Sequence, residues 1–248
     1  MNVEMLDGGA FTAAAGIWRR GDSLDEKARF PVPVYVIDTG AERLLVDTGL
    51  APGAVEDAPA HYGAPDALAL FELEQEQPLG EQADLASITK VVLTHLHFDH
   101  AGGLAQLPSE VPVYIQRREW EAGQDPAAIE KNFYLPFDYE GIAAQVELVD
   151  GDHDLLGDGS ITLLFTPGHT PGHQSVAVGD ALVIGGDVFH YASVLDDERF
   201  PMIGYDFEAQ AASAVRLRAL RDAGATVTPG HDPEALRPGP VSTLPHVQ

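Results

Sequence analysis

The chain has 248 residues and sets 39 acidic side chains against 14 basic ones, a net charge of -25, with no cysteine. That balance excludes nucleic acid as the usual partner, because such binding rests on Lys and Arg neutralising phosphates and only Lys27, Lys90 and Lys131 supply lysine. The missing cysteines exclude disulfides and thiolate metal ligands, and with no Ser/Gly tract, long charge block or repeat to act as a linker, residues 1–248 are expected to form one domain.

Met1-Asn2-Val3-Glu4-Met5-Leu6-Asp7 lacks the basic-then-apolar order of a secretory signal, and no later segment runs uncharged for long enough to span a bilayer. A cytoplasmic protein with no membrane partner is expected. Residues 32–47 read as a hairpin: Val34-Tyr35-Val36-Ile37, a turn at Thr39-Gly40-Ala41-Glu42, then Leu44-Leu45-Val46-Asp47. Residues 51–82 are rich in Ala and acid and broken by Pro52, Pro59, Pro65 and Pro78, which predicts short helices over the sheet or a lid. Leu68, Leu70 and Phe71 within it read as core in preference to pocket lining. A strand at 90–93 leads into a loop, then a short helix at 103–107, a strand at 112–115 and helical stretches at 117–123 and 125–131. Strands follow at 145–149, 161–165, 175–178 and 182–184. Ala211, Ala214, Val215, Leu217 and Leu220 fall near helical spacing over 207–223, Gly224 supplies the stop, and a last strand at 225–228 delivers His231. The chain reads as two similar halves, whose sheets would face each other with helices outside and all candidate ligands at one edge.

The loop after the 90–93 strand concentrates the chemistry. Thr94-His95-Leu96-His97-Phe98-Asp99-His100 carries four strong metal-binding groups within six residues. In an extended loop, side chains two apart project to the same side, so His95 and His97 can share one cation while Asp99 and His100, past the bend, turn toward a second. Ala101-Gly102-Gly103 then lets backbone pass close beneath the ions; no strand and helix flank it in the manner of a phosphate loop. Three more segments place a His or Asp where a strand gives way to a Gly/Pro-rich loop: Thr166-Pro167-Gly168-His169, Gly185-Gly186-Asp187 and Thr228-Pro229-Gly230-His231. Imidazole and carboxylate without sulfur suit Zn, and also Fe, Mn or Co, with geometry and supply left to choose. His61, His153 and His246 have no such context and read as surface.

His95-x-His97-x-Asp99-His100 together with His169, Asp187 and His231 resembles the metallo-β-lactamase superfamily, over residues 34–231. The resemblance implies an α/β fold, a four-layer αβ/βα sandwich of two mixed sheets with helices outside. Leu45-Val46-Asp47-Thr48-Gly49 resembles the family's early strand-end signature, whose Asp is a structural neighbour of the metal loops. Within the superfamily the chain is most similar to N-acyl homoserine lactone lactonases, which hydrolyse bacterial quorum signals. The likeness is carried by HLHFDHAGG with its flanks at 87–103, Gln116-Arg117-Arg118-Glu119-Trp120-Glu121-Ala122, Thr166-Pro167-Gly168-His169-Thr170-Pro171-Gly172-His173-Gln174-Ser175, and Gly230-His231-Asp232.

Carried over residue by residue, the likeness implies two Zn2+ per chain, with Fe, Mn or Co as substitutes. His95, His97 and His169 would bind one, Asp99, His100 and His231 the other, and Asp187 would bridge. A metal-bridging hydroxide would open a small lactone or ester, with Asp99 as proton shuttle. His173, in the family's second Gly-His, reads as a structural neighbour of the ligands. The lactonases have a tyrosine three residues after the bridging aspartate; here that place is His190, with Tyr191 next, and Tyr191 is the preferred donor to the substrate carbonyl. Other hydrolases on the same centre stay open: an organophosphate triesterase, an arylesterase or a glyoxalase II-like thioesterase. A redox or non-catalytic binding member is disfavoured, since no ligand is missing, the di-iron members carry Glu in place of His97, and no residues remain for their flavin domain. A homodimer is compatible with this reading.

Overall fold

The structure is a computed structural model that describes residues 1–66 and 68–241; His246 lies outside the described residues. Its strands are β1 (Asn2–Ala14), β2 (Lys27–Asp38), β3 (Arg43–Val46), β4 (Glu72–Glu74), β5 (Lys90–Val92), β6 (Val113–Gln116), β7 (Val146–Val149), β8 (His153–Asp154), β9 (Ile161–Phe165), β10 (Gln174–Val178), β11 (Leu182–Ile184), β12 (Thr226–Thr228) and β13 (Gly239–Pro240). One sheet runs β13-β1-β2-β3-β5-β6-β7 with β4 paired to β1, and the other runs β12-β11-β10-β9-β8. Both are mixed: β3, β5, β6 and β7 are mutually parallel after the antiparallel β1-β2-β3, and β11 and β12 are parallel in an otherwise antiparallel sheet.

Alternation along the strands builds the layers. On β2 and β3, Val34, Val36 and Leu45 turn to one face and pack with Leu79, Leu104, Tyr134 and Tyr139 from the helical side. Tyr35, Ile37, Leu44 and Val46 turn to the other face and meet Ile161, Leu163, Val176 and Val178 of the second sheet. The second sheet repeats the arrangement. Leu163, Leu182 and Ile184 face inward, while Leu164 and Val183 face outward against Ala214 and Leu217 of the helix Phe207–Asp222. The result is helix, sheet, sheet, helix, the αβ/βα sandwich that the sequence implied.

The hairpin forms as expected, with Tyr35 opposite Val46 and the Thr39 amide bonded to the Glu42 carbonyl at 3.0 Å. Four strands were not anticipated: β1, β4 and the two-residue β8 and β13. β1, thirteen residues long, is interrupted in its apolar alternation by Asp7-Gly8-Gly9, where its pairing with β2 shifts register between Asp7 and Ala10. β4 lies in the stretch expected to be helical; among the described residues there, only Pro52–Tyr62 and Leu79–Gln82 are helices. Leu70 is 76% exposed and not core, while Leu68 and Phe71 are half-buried, and all three line a cavity. Pairing of β4 with β1 holds this stretch out beside the sheet edge, where only part of it can be covered. No described helix is long and apolar enough to cross a membrane.

Candidate metal centre

The candidate ligands leave the strands at their C-terminal ends: 94–100 follow β5, 166–169 follow β9, 186–187 follow β11 and 229–231 follow β12. The loop after β5 is anchored by Asp47. That carboxylate accepts from the Thr94 amide at 2.7 Å and the Thr94 hydroxyl at 2.8 Å, and its Oδ2 lies 2.8 Å from His100 Nδ1. Asp47 therefore sits where the sequence placed it, beside the ligands and orienting one. Behind the loop, a Cβ on Gly103 would lie 2.1 Å from the Thr48 carbonyl oxygen, so only glycine permits the close passage of these two segments.

The loops bring their side chains into one buried cluster. His95, His97 and His169 have candidate ligand atoms within 4.8 Å of one another, and so do Asp99, His100 and His231. Asp187 lies between the two sets: its Oδ2 is 3.4 Å from His169 Nε2 and 3.2 Å from His231 Nε2, and its Oδ1 is 3.5 Å from His100 Nε2.

For His97, His231 and His100 a hydrogen bond on the far side of the ring decides which nitrogen faces the centre. His97 Nε2 donates to the Asn132 carbonyl at 2.8 Å, leaving Nδ1 to face His95 Nε2 at 2.9 Å and His169 Nε2 at 3.0 Å. His231 Nδ1 donates to the Pro31 carbonyl at 2.8 Å, leaving Nε2 toward Asp187 and toward Asp99 Oδ2 at 3.4 Å. His100 Nδ1 donates to Asp47, and its Nε2, like Asp187 Oδ1, is buried with no hydrogen-bond partner among the described residues. Ring nitrogens and carboxylate oxygens thus converge on one another with too few hydrogen-bond partners to go round. A divalent cation in each set would satisfy them, so the residues fit the group that the sequence implied.

Electrostatics state the same demand. Burial, reinforced by neighbouring imidazoles, holds His95 well below the ordinary histidine value and, against the pull of Asp187, holds His169 there too. Burial also pushes His100 and His231 down, but Asp187 and Asp99, with Asp47 beside His100, outweigh it and raise both. For Asp187, burial raises the carboxyl, but His231, His100 and His190 carry it well below the ordinary value.

His190 and Tyr191 part company. His190 is fully buried in the cluster, with Nε2 3.2 Å from Asp187 Oδ2 and its ring stacked on His231 at 5.4 Å. Tyr191 is not brought there: it is half-buried beneath Arg19, whose guanidinium lies 4.7 Å from the ring centroid, and it packs edge-on against Phe30. His173 is buried; its Nδ1 donates to the Thr166 carbonyl at 3.1 Å and its Nε2 accepts from the Asp187 amide at 3.0 Å. Burial pushes it down to about 3, and it supports the Asp187 loop as a neutral ring. His61 and His153 are part-buried and not free surface residues: His61 packs on Tyr62 and Phe137, and His153 pairs with Leu163 in the second sheet.

Beside the cluster lies a cavity of about 430 Å³, whose wall includes His97, Asp99 and Asp187 together with Trp18, Leu68, Phe71, Phe133, Tyr134 and Ile203. Trp18 and Phe133 carried no signal in the sequence, since apolar residues in short segments read equally as core.

The metallo-beta-lactamase superfamily profile matches residues 28–231. The N-acyl homoserine lactonase AttM of Azorhizobium caulinodans is 30% identical over 219 residues, covering 83% of both chains. The N-acyl homoserine lactonase of Bacillus cereus is 32% identical over 206 residues, 77% of this chain and 76% of its own. Among solved structures, an N-acyl homoserine lactone hydrolase with N-hexanoyl-L-homoserine at its catalytic metal centre has a TM-score of 0.79 at 23% identity, with 94% of both chains covered. AidC, a dizinc quorum-quenching lactonase, gives 0.68 at 18% identity over 93% of this chain and 87% of its own. With the fold, the ligand geometry and the matched span in agreement, the chain belongs to the metallo-beta-lactamase superfamily.

Proposed function

We propose that this protein is a metal-dependent lactonase that opens N-acyl homoserine lactones to hydroxy acids. The observation that carries the reading is the placement of a converging imidazole and carboxylate set in the wall of a largely apolar cavity. It is supported by the 30% identity to an N-acyl homoserine lactonase over most of both chains. His95, His97 and His169 would hold one zinc ion, Asp99, His100 and His231 would hold a second, and Asp187, which faces both sets, would serve both. Two zinc ions bound there would supply a hydroxide near neutral pH and polarise the ester carbonyl.

The remaining work falls to side chains. The apolar wall formed by Leu68, Phe71, Phe133 and Ile203 takes the acyl chain and keeps water from it. Asp99, which lines the cavity, takes the proton released by the attacking water and passes it to the departing alkoxide, so that ring opening ends in the hydroxy acid. His190, whose Nε2 stands beside Asp187, takes the donor role toward the carbonyl, whereas Tyr191 packs under Arg19. The decisive experiment is a pH-stat comparison on one batch of metal-loaded protein. N-acyl homoserine lactones should open far faster than a paraoxon-like triester, an aryl ester or an acyl-glutathione is cleaved; a preference for any of the latter assigns the centre to that substrate instead.

A further inference from the structure

Glu119 stands outside both ligand sets, yet it is fully buried, on the short helix Arg117–Ala122 that follows β6. Its carboxylate has no cationic partner among the described residues, an arrangement that costs free energy unless hydrogen bonds offset it. Three do. Oε1 accepts from the Leu96 amide at 3.1 Å and the Tyr134 hydroxyl at 2.7 Å, and Oε2 accepts from the Gly172 amide at 2.8 Å.

Each donor belongs to a segment that holds a histidine of one ligand set. Leu96 lies between His95 and His97. Tyr134 packs its ring 5.6 Å from that of His97, and Asn132, two residues earlier, accepts from His97 Nε2. Gly172 follows His169 in the same loop and is glycine for a steric reason: a Cβ there would fall 2.2 Å from the Glu119 backbone nitrogen. No hydrogen bond joins Glu119 to Asp99, His100 or His231, where Asp47 performs the corresponding service.

We propose that Glu119 is a positioning residue that holds the His95, His97 and His169 site in register, by clasping the two loops and the cavity wall that carry it. This rests on the reading of those histidines as metal ligands. An ionised carboxylate only accepts, and it matches two backbone donors on two different oxygens. A glutamine offers one oxygen and one amino group, so Glu119→Gln must turn a donor toward either the Leu96 or the Gly172 amide. One loop then loses its anchor. Removal of such supporting groups typically weakens metal binding by about 10- to 100-fold.

The test is a cobalt titration of the full chain stripped of metal, followed by visible absorption, with His97→Ala as the reference for a protein that keeps only the other site. Wild type should take two equivalents. Glu119→Gln should bind its first equivalent with wild-type affinity and the spectrum of His97→Ala, and its second about 10- to 100-fold more weakly. Circular dichroism of the metal-free protein reports whether the variant folds. Should it not, Tyr134→Phe removes one donor while keeping both backbone bonds, and the second equivalent should weaken several-fold. Wild-type affinity for both equivalents, in Glu119→Gln or in Tyr134→Phe where the former is unfolded, overturns the proposal. So does equal weakening of both, which marks a general loosening. A wild type that takes no cobalt instead removes the metal reading on which the proposal rests.

Discussion

At the residue scale, function turns on which nitrogen of each imidazole is free, and that is settled by partners far along the chain. His97 is fixed by Asn132, His231 by Pro31 and His100 by Asp47, so each ring is held with its other nitrogen turned to the centre. Asp187 faces both sets, and Asp187→Ala should leave the sheets folded, since their core is apolar and lies between strands, but should cut bound metal below two per chain and abolish turnover. Elemental analysis with wild-type metal content in that variant would show that the span between the sets is misassigned. His190 tests the donor role. His190→Gln should lower lactone turnover by about ten- to a hundredfold, or roughly 1 to 3 kcal/mol of transition-state stabilisation, with metal content unchanged. Tyr191→Phe, which keeps the ring under Arg19, should turn over as wild type. The reverse pattern would return the role to the tyrosine.

At the scale of elements, the cavity is bounded by two segments that never pair as secondary structure. One follows the helix Pro52–Tyr62 and carries Leu68 to Phe71; the other, Phe133 to Leu135, precedes the turn Pro136–Asp138. They are tied by Tyr62, whose hydroxyl donates to Asp138 Oδ2 at 3.1 Å, with His61 Nε2 3.9 Å from the other oxygen. Burial raises the Asp138 carboxyl from 3.8 to about 7, with Asp99 adding to the rise and the Tyr62 bond opposing it. The folded state thus holds this proton more tightly than the unfolded one. Stability from Asp138 is complete below pH 3.8, is lost as pH climbs toward about 7, and is level beyond. Asp138→Asn keeps an acceptor for Tyr62 and has no charge to bury, so its melting temperature should gain on wild type as pH rises, the difference at pH 8 exceeding that at pH 5. The same difference at both pH values would show Asp138 to be ionised at little cost. How far such features were legible depends on distance in sequence. The metal ligands were, because each stands within a few residues of a strand end and a Gly/Pro turn. Glu119 was not, because its partners are 15, 23 and 53 residues away, and β1 was not, because Asp7-Gly8-Gly9 breaks the alternation that would have announced it.

For the whole molecule, the governing quantity is the charge of -25. Seven of the arginines pair with carboxylates among the described residues, among them Arg117 with Asp150 at 3.1 Å and Arg221 with Asp196 at 2.8 Å, and the cations are too few to offset the surplus acids, which repel one another. Exposed pairs of this kind are each worth about 1 kcal/mol or less, and salt screens them along with the repulsion. The repulsions outnumber the pairs, since 39 acids face 14 bases. Screening should therefore stabilise the fold on balance: the Debye length shrinks from about 30 Å at 0.01 M to about 3 Å at 1 M salt, which removes interactions between all but adjacent charges. The melting temperature of the metal-loaded protein should rise as sodium chloride is raised over that range, most steeply at the low end where screening sets in. Sucrose, which strengthens burial without screening, should give no such early rise. A melting temperature that is flat or falls with salt would mean that the paired arginines already hold the acidic surface together, and that its charge serves solubility at no cost to the fold.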